Sequence, residues 1–359
     1  MNAAPHGVDT FLVGLTGDFV TADGAWRYED LGLDLLDRHG RIRYAALTRH
    51  EAELAPEQSA GMAGMIVLTP RVTARSVSQA DGLLAIGRFG VGYDAVDVAA
   101  CTAADVAVYI TAGAVDRSVA EATVGWMIAL THEFRRKDLL VRRGLWDERS
   151  GLMGRELRDR TLGVVGMGGI ARALLGLLSS FGMRDVLAYD PYLDPAEAAR
   201  LGVRLVDLDT LLGASDFVSI HCPLTDATRG LIGRRELALM KPDAYLINTA
   251  RGGIVDEEAL HEAIVSGRLA GAALDCFAAE PIRQPPPIAE LDTVLLAPHC
   301  IAWTSELFRD IGRAACQGMI DLAEGRRPRG VVNPEVFARP GFQSKWERLR
   351  LSRPGQPAR

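Results

Sequence analysis

Several features that would place a protein in a special class are missing from this 359-residue sequence. No run approaches the roughly 18 consecutive apolar residues of a membrane-spanning helix. The first ten residues, MNAAPHGVDT, lack the basic segment followed by an apolar one that marks a secretory leader. The five cysteines include no C-x-x-C pair and no histidine at a ligand spacing, so neither a disulfide framework nor a zinc site is indicated. We therefore expect reduced thiols, a cytoplasmic location, no metal and no membrane partner.

Positive charge and aromatic residues are also scarce. Lysine and arginine number 40 against 46 acidic residues, which gives a net charge of −6. Because domains that bind nucleic acid usually carry a basic surface, no nucleic acid is expected as a partner. Aromatic residues make up only 6%, whereas the 37 glycines suit a fold with tight turns and close helix–strand packing. The length predicts two domains.

Short β-branched runs alternate with helical segments along most of the chain, which predicts parallel α/β architecture. The first series has the runs FLVGLT, IRYAAL, MIVLT, LLAIGRFG and VAVYI, and the second, from Thr161 to about His299, has LGVVG, VLAYD, FVSIH, AYLINTA, GAALD and TVLLAPH. Between them, Ser118 and Glu121 are spaced as a capping box, which predicts one long helix to about Arg143. A further amphipathic helix is predicted from Glu306 to a stop at Gly325.

The second series opens with a glycine turn typical of dinucleotide binding. The run TLGVVGMGGIA places Gly166 at a tight turn, Gly168 where backbone can approach a pyrophosphate, and small Ala171 where a helix packs on the strand. Asp190 ends the next strand, 24 residues after Gly166, where a carboxylate binds the adenosine ribose. Its charge would repel a 2′-phosphate, which favours NAD over NADP. Alternatively, Asp190 simply ends a strand before Pro191.

Seven stretches in order, between about Leu83 and Val332, closely resemble the D-isomer-specific 2-hydroxyacid dehydrogenase family. They are RFGVGYDAVDV, SVAEAT, LGVVGMGGIAR, HCPLTDATRGLI, LMKPDAYLINTARGGIVDEEAL, SGRLAGAALDCFAAEP and LAPHCIAWT. The resemblance implies an α/β protein of two doubly wound parallel-sheet domains, with a Rossmann NAD domain inserted into a flavodoxin-like substrate domain. We accordingly expect a substrate (catalytic) domain of residues 1–112 plus 303–335, an NAD domain of residues 113–302, a loosely held C-terminal tail of residues 336–359, and a homodimer.

The reaction that the resemblance implies is hydride transfer between nicotinamide and a small 2-oxo or D-2-hydroxy acid. It requires a cation for the carboxylate, a proton donor at the substrate oxygen and a group that tunes this donor. Arg251 is the candidate cation, His299 the proton donor and Glu280 its partner. Taken singly, these would be a solvated charge, a strand-end cap and a turn residue; matching three motifs in order favours catalysis. His221, the rival histidine, is expected to be structural.

The resemblance also assigns contacts position by position. Substrate contacts are expected from Arg251, Trp303 and the turn Gly90, Val91 and Gly92. Cofactor contacts are expected from Val91, Thr123, Gly166, Gly168, Gly169, Ile170, Asp190, Cys222, Pro223, Thr228, Thr249, Ala250, Arg251, Asp275, His299 and Ala302. No metal ligand is among them.

Trp303 departs from the family's usual small residue and resembles the branch of C-terminal-binding corepressors. A large indole close to His299 would narrow a substrate pocket, or else pack between the domains. The second functional hypothesis is therefore an NAD-responsive regulatory protein with little turnover. Because Arg251, Glu280 and His299 are all retained, the sequence favours the enzyme, while the identity of the 2-hydroxy acid stays open.

Overall fold

The computed structural model describes residues 10–351. The chain divides into two compact units, one made of the segment up to Val115 together with the segment from Thr304, the other of Asp116–Trp303. The second unit is thus inserted into the first. Its limits differ slightly from the predicted 113–302. Within residues 10–351, no helix has the length and apolar character needed to cross a membrane.

The first unit is built on a five-stranded parallel sheet. Its strands and helices before the insertion are β1 (Phe11–Leu15), α1 (Asp34–His39), β2 (Ile42–Ala46), β3 (Gly64–Val67), β4 (Ala85–Arg88), α2 (Val98–Ala103) and β5 (Ala107–Ile110). The strand order is β2-β1-β3-β4-β5, which is the flavodoxin-like order. All five strands fall on the predicted apolar runs, and every residue of β3 is buried.

The second unit has a seven-stranded parallel sheet. Its elements are α3 (Asp116–Thr131), α4 (Phe134–Arg142), β6 (Thr161–Val165), α5 (Gly169–Leu178), β7 (Asp185–Tyr189), α6 (Pro195–Arg200), β8 (Arg204–Leu205), α7 (Leu208–Ala214), β9 (Phe217–Ile220), α8 (Arg234–Leu239), β10 (Tyr245–Asn248), α9 (Glu257–Val265), β11 (Gly271–Leu274) and β12 (Val294–Leu296). The order β12-β11-β10-β9-β6-β7-β8 is the Rossmann order with one further strand.

Apolar side chains cover both faces of this second sheet. Leu246 belongs to the core on one face, and its neighbour Ile247 belongs to the core on the other. This double burial explains why the strands read as continuous apolar runs instead of alternating ones. The order reverses between β6 and β9, and ligands of such folds bind outside the carboxyl ends of the strands at this point.

The single long helix predicted after Ser118 is wrong. Helix α3 begins two residues earlier, at Asp116, and ends at Thr131; α4 is separate. Glu133 lies between them with a left-handed φ of 58°, which interrupts the helical path. The Thr131 carbonyl accepts a hydrogen bond from the Arg155 N–H at 2.8 Å instead of continuing the helix. Ser118 therefore lies inside the first turns and is not a cap.

The chain after the insertion forms α10 (Ser305–Ala323) and α11 (Pro340–Leu349). Helix α10 matches the prediction, but residues 336–351 are not the loosely held tail that was expected. Phe342 has no exposed surface, and the buried Lys345 ammonium donates to four backbone carbonyls, among them those of Ala80 and Leu83. Carbonyl oxygens within the fold, and not solvent, hold the positive charge of Lys345. Residues 352–359 of the predicted tail lie outside the described residues.

Candidate active site

His299 and Glu280 form a hydrogen-bonded pair on two loops of the second unit. The His299 Nδ1 atom lies 2.8 Å from Oε2 of Glu280, and the other carboxylate oxygen accepts from the Phe277 N–H at 2.8 Å. Burial raises the pKa of Glu280, but the bonds from His299 and Phe277 outweigh it, so the pKa lies below its usual value. The ionised carboxylate of Glu280 therefore holds the His299 ring through its Nδ1 atom. The imidazole is 46% exposed and can reach a substrate.

Asp275, which follows β11, fixes the backbone beside His299. Its Oδ1 atom accepts hydrogen bonds from the Cys300 N–H at 2.9 Å and the Ile301 N–H at 3.0 Å. His299 itself has a left-handed φ of 55°, so these bonds hold an uncommon conformation. Burial raises the pKa of Asp275 to about 6 despite the two amide donors. Asp275 therefore orients the turn that carries His299, and its predicted contact with the cofactor stays a prediction.

The loop that carries Arg251 follows β10, and the side chain of Asn248 fixes its backbone by hydrogen bonds. The side-chain oxygen of this buried residue accepts from the Ala250 N–H at 3.0 Å, and its amide nitrogen donates to the Arg251 carbonyl at 2.9 Å. Sequence reasoning missed Asn248, although a polar residue ending a buried strand three residues before Arg251 is the available signal. The half-buried guanidinium also donates to the Ala250 carbonyl at 2.6 Å.

Close backbone packing joins the Arg251 loop to the Glu280 loop. A Cβ at Gly252 would lie 1.9 Å from the carbonyl carbon and oxygen of Phe277, so only glycine fits there. The positive charge of Arg251 also contributes to the lowered pKa of Glu280. Hence a guanidinium, a carboxylate and an imidazole, which the sequence places on three separate motifs, occupy neighbouring loops.

The glycine turn after β6 lies at the switch point of the sheet. Gly166 has a φ of 92°, and a Cβ there would lie 2.7 Å from the backbone nitrogen of Cys222. Gly168 is the N-cap of α5, and nothing lies within 4 Å of the position that its Cβ would take. The first amides of α5, at Gly169 and Ile170, have no acceptor within the helix and can face an anion.

Asp190 is tied to this turn by its carboxylate. One oxygen accepts from the Met167 N–H at 2.8 Å, and the other accepts from the Tyr192 N–H at 2.9 Å. Each oxygen keeps a lone pair, as binding of ribose hydroxyls requires. The Thr249 hydroxyl is buried with no hydrogen-bond partner within residues 10–351. A helix N-terminus, a carboxylate at the second strand and an unpartnered hydroxyl fit a dinucleotide such as NAD.

Other predicted cofactor contacts have partners in their own segments. The Thr228 hydroxyl donates to the Pro223 carbonyl at 2.6 Å and accepts from the Thr225 N–H at 2.7 Å, which closes the turn after Cys222. Thr123 is fully buried and donates to the Val119 carbonyl at 2.8 Å. Their cofactor roles, and that of the buried Ala302, stay predictions.

In the first unit, the predicted substrate turn follows β4. The Gly90 N–H already donates to the Thr111 hydroxyl at 3.1 Å, and the Gly90 carbonyl accepts from the Thr111 N–H at 3.0 Å. Because the Gly90 amide is engaged by Thr111, only the amides of Val91 and Gly92 stay as predicted donors to a substrate carboxylate.

Burial favours the neutral forms of His221 and of three cysteines beside the motifs. Burial lowers the pKa of His221 to about 4, and its Nε2 lies 2.8 Å from the Ser219 hydroxyl. This geometry supports the structural role expected for His221. Burial raises the pKa of Cys222 to about 11 and also raises the pKa values of Cys276 and Cys300, which disfavours the reactive thiolate. All five cysteines are free, and no metal-binding group of three or more His, Cys, Asp or Glu occurs within the described part of the chain.

Comparison with known proteins agrees with this geometry. Residues 124–300 match the model of the D-isomer specific 2-hydroxyacid dehydrogenase, NAD binding domain. The glyoxylate reductase of Thermofilum pendens is 40% identical over 277 residues, covering 76% of this chain and 81% of that protein. The D-3-phosphoglycerate dehydrogenase of Archaeoglobus fulgidus is 39% identical over 263 residues, covering 73% of this chain. This chain spans 50% of the length of that relative.

Among solved structures, the TT0316 protein of Thermus thermophilus is similar across nearly the whole chain. The TM-score is 0.77 at 31% identity, and the match covers 90% of this chain and 100% of that one. The strand orders, the glycine turn and the Arg251, Glu280 and His299 loops together with these matches lead to one conclusion. The chain belongs to the D-isomer specific 2-hydroxyacid dehydrogenase family.

Proposed function

We propose that this protein is an NAD-dependent oxidoreductase, acting on CH-OH donors, that interconverts a small 2-oxo acid and its D-2-hydroxy acid. The observation that carries the proposal is the 2.8 Å His299–Glu280 pair, which lies on loops adjacent to Arg251 within the NAD-binding domain. Bound NADH would supply the hydride. The loop of Arg251 supplies the cation, and the loop of His299 supplies the proton.

Arg251 holds the substrate carboxylate. A guanidinium binds a carboxylate through two parallel N–H bonds and leaves its charge beside the adjacent carbonyl, which is polarised toward reduction. Asn248 fixes the backbone of this loop, so the guanidinium is positioned before substrate arrives. Preorganisation of this kind lowers the barrier because little reorientation remains during the reaction.

His299 donates a proton to the carbonyl oxygen during reduction and accepts it during oxidation. Its Nδ1–H is bound to Glu280, which leaves Nε2 as the atom that faces the substrate. The carboxylate offsets the positive charge of the imidazolium. Because the pKa of Glu280 is lowered, this partner stays ionised at neutral pH.

Steady-state NADH oxidation with glyoxylate, hydroxypyruvate, pyruvate and phenylpyruvate tests the proposal. His299→Ala should lower kcat by at least about 100-fold, and Arg251→Ala should raise KM for every acid. His50→Ala, an exposed histidine of the first unit, is the matched control and should behave as wild type. Unchanged turnover in both active-site variants would rule out the assignment.

Trp303 supports a second candidate, an NAD-responsive binding protein with little turnover. Its indole is 54% exposed, which suits contact with a partner or with a substrate side chain. Under the enzyme proposal, Trp303→Ala changes the ranking of the four acids. If turnover is negligible in wild type while NAD alters association with a partner, the second candidate replaces the first.

We also propose that a second copy of the chain covers the segment around α4. No residue of this helix is buried, and four apolar side chains remain exposed nearby: Phe134, Val141, Leu145 and Trp146. Light scattering should give the mass of a homodimer. Trp146→Ser should shift the equilibrium toward monomer, whereas a monomeric wild type would contradict the proposal.

A further inference from the structure

The carboxylate of Asp116 lies against the glycine turn and is not explained by any role assigned above. Asp116 is the first residue of α3, and a Cβ built on Gly169 would lie 2.0 Å from its Oδ2 and 2.6 Å from its Cγ. Gly169 is the first residue of α5. The carboxylate therefore fills the space that a side chain at position 169 would take, at the helix end that faces the cofactor pyrophosphate.

This carboxylate is half-buried and has no compensating partner in its surroundings. Within residues 10–351, it accepts no hydrogen bond and forms no ion pair. Burial raises the pKa of Asp116 above its usual value. A desolvated anion without a donor is costly, so its ionisation responds to any further negative charge placed close to it.

The bound pyrophosphate would bring such a charge. A phosphate oxygen on the Gly169 amide would lie within about 8 Å of the Asp116 carboxylate, as bond lengths and hydrogen-bond distances require. That separation is shorter than the Debye length of about 10 Å at 0.1 M salt, so screening leaves an appreciable repulsion.

We propose that Asp116 is a proton-linked determinant of dinucleotide affinity: its ionised carboxylate repels the pyrophosphate, and binding of the dinucleotide takes up a proton at Asp116. The inference rests on the proposed cofactor site and adds a residue that sets its affinity and pH dependence. The proton comes from solvent and leaves again when the dinucleotide dissociates.

The other ionisable groups around the glycine turn are ion-paired, bonded to backbone N–H groups, or neutral between pH 5.5 and 8. Arg172 of α5 binds Glu197 at 2.6 Å, and Arg117 of α3 binds Glu121 at 3.1 Å. Burial places the pKa of His221 at about 4 and that of Cys222 at about 11, so neither titrates between pH 5.5 and 8. Asp190 accepts two backbone N–H bonds. Asp275, with a pKa of about 6, belongs to the His299 turn, and repeating the titrations in an Asp275→Asn background removes its contribution.

ADP-ribose is the probe, because it carries the pyrophosphate and lacks the nicotinamide that would face the His299 region. Titration calorimetry of the wild type at pH 5.5 and 8 should give tighter binding at the lower pH. Asp116→Asn keeps the shape and removes the charge, so at pH 8 it should bind ADP-ribose about fivefold more tightly than wild type, the order expected for two charges at this separation. Its affinity should not change with pH.

Proton uptake gives a second readout. Calorimetry in buffers of different ionisation enthalpy, repeated between pH 4.5 and 8, should detect fractional proton uptake on binding to wild type at the acidic end and none with Asp116→Asn. Glu290→Gln removes the same charge from an exposed position of the same unit and should match wild type. Asp116→Ser, which shortens the side chain, should reproduce the effect of Asp116→Asn.

Two results would overturn the inference, and they are distinguishable. If wild type binds NAD and ADP-ribose but Asp116→Asn binds no more tightly, or retains the pH dependence, Asp116 does not set the affinity while the cofactor site stands. If wild type binds neither ligand, the cofactor site and this inference both fail.

Discussion

Glu280 and Asp275 are two carboxylates of the same region whose pKa values move in opposite directions. Partial burial of Glu280 and nearly complete burial of Asp275 each act to raise the pKa. Glu280 accepts from the His299 ring and the Phe277 N–H, and its pKa is lowered; Asp275 accepts from two backbone amides, and its pKa is raised to about 6. Each carboxylate accepts two hydrogen bonds, so their number does not explain the opposite directions of the pKa shifts.

The difference lies in the charge of the donors and the depth of burial. Glu280 has neighbours that carry positive charge, His299 and Arg251, and its side chain is 34% exposed. Asp275 is only 6% exposed, and the negative charge of Glu280 opposes its ionisation. Glu280 is therefore suited to balance the charge of an imidazolium, whereas Asp275 is suited to fix the backbone of the turn at Cys300 and Ile301.

The largest effect is expected from Glu280→Gln. The amide retains the shape but removes the negative charge that stabilises the imidazolium, so kcat for reduction should fall about 100-fold or more. Stopped-flow pH profiles measure this, with the exposed Glu290→Gln as the control. A wild-type profile for Glu280→Gln would remove Glu280 from the mechanism.

Much of this site was predictable because its residues follow buried strands. Arg251, Asp275 and His299 come after apolar runs whose parallel arrangement brings their carboxyl ends to one edge of the sheet. The two-residue strand β8 was missed because Arg204–Leu205 is too short to give an apolar pattern. The break between α3 and α4 at Glu133 was not predicted, because no glycine or proline marks this position in the sequence.

Long-range contacts are the part that local patterns cannot reveal. Asp116 and Gly169 are far apart in sequence, and only the packing of α3 beside α5 brings them together. The Gly90 amide is likewise engaged by Thr111 on the neighbouring strand end. Lys345 looks like a solvated charge in sequence because its four acceptors are backbone carbonyls.

An intermediate effect is expected from Asn248→Asp, which creates a further buried acid on the strand next to Asp275. The new oxygen would face the Arg251 carbonyl in place of an N–H donor, so the loop that holds the guanidinium should move. KM for the 2-oxo acid should rise about tenfold, which corresponds to about 1.4 kcal/mol of lost binding, with a smaller change in kcat.

The matched control is Asn333→Asp in the first unit. Asn333 is equally buried, and its amide also binds backbone, through the Val108 N–H and the Val106 carbonyl. It should lower thermal stability while leaving KM unchanged. If both variants change KM alike, general destabilisation explains the result and Asn248 has no specific role in positioning Arg251.

The smallest effect on turnover, and the clearest on stability, is expected from Asp275→Asn. Both amide bonds go to Oδ1, which asparagine retains, so kcat should fall only about threefold. Because the folded pKa of Asp275 is raised from 3.8 to about 6, wild type loses stability as pH rises through this window. The variant should be more stable than wild type by up to about 3 kcal/mol above pH 6 and indistinguishable below pH 4.

Urea unfolding from pH 4 to pH 8 measures this difference directly. Asp243→Asn is the control of opposite sign, since burial raises the pKa of Asp243 but the Arg155 side chain lowers it further, to a net value below normal. That variant should lose stability at neutral pH and match wild type in acid. If Asp275→Asn also loses stability at neutral pH, the ionised carboxylate stabilises the fold, and the contrast between Glu280 and Asp275 cannot arise from burial.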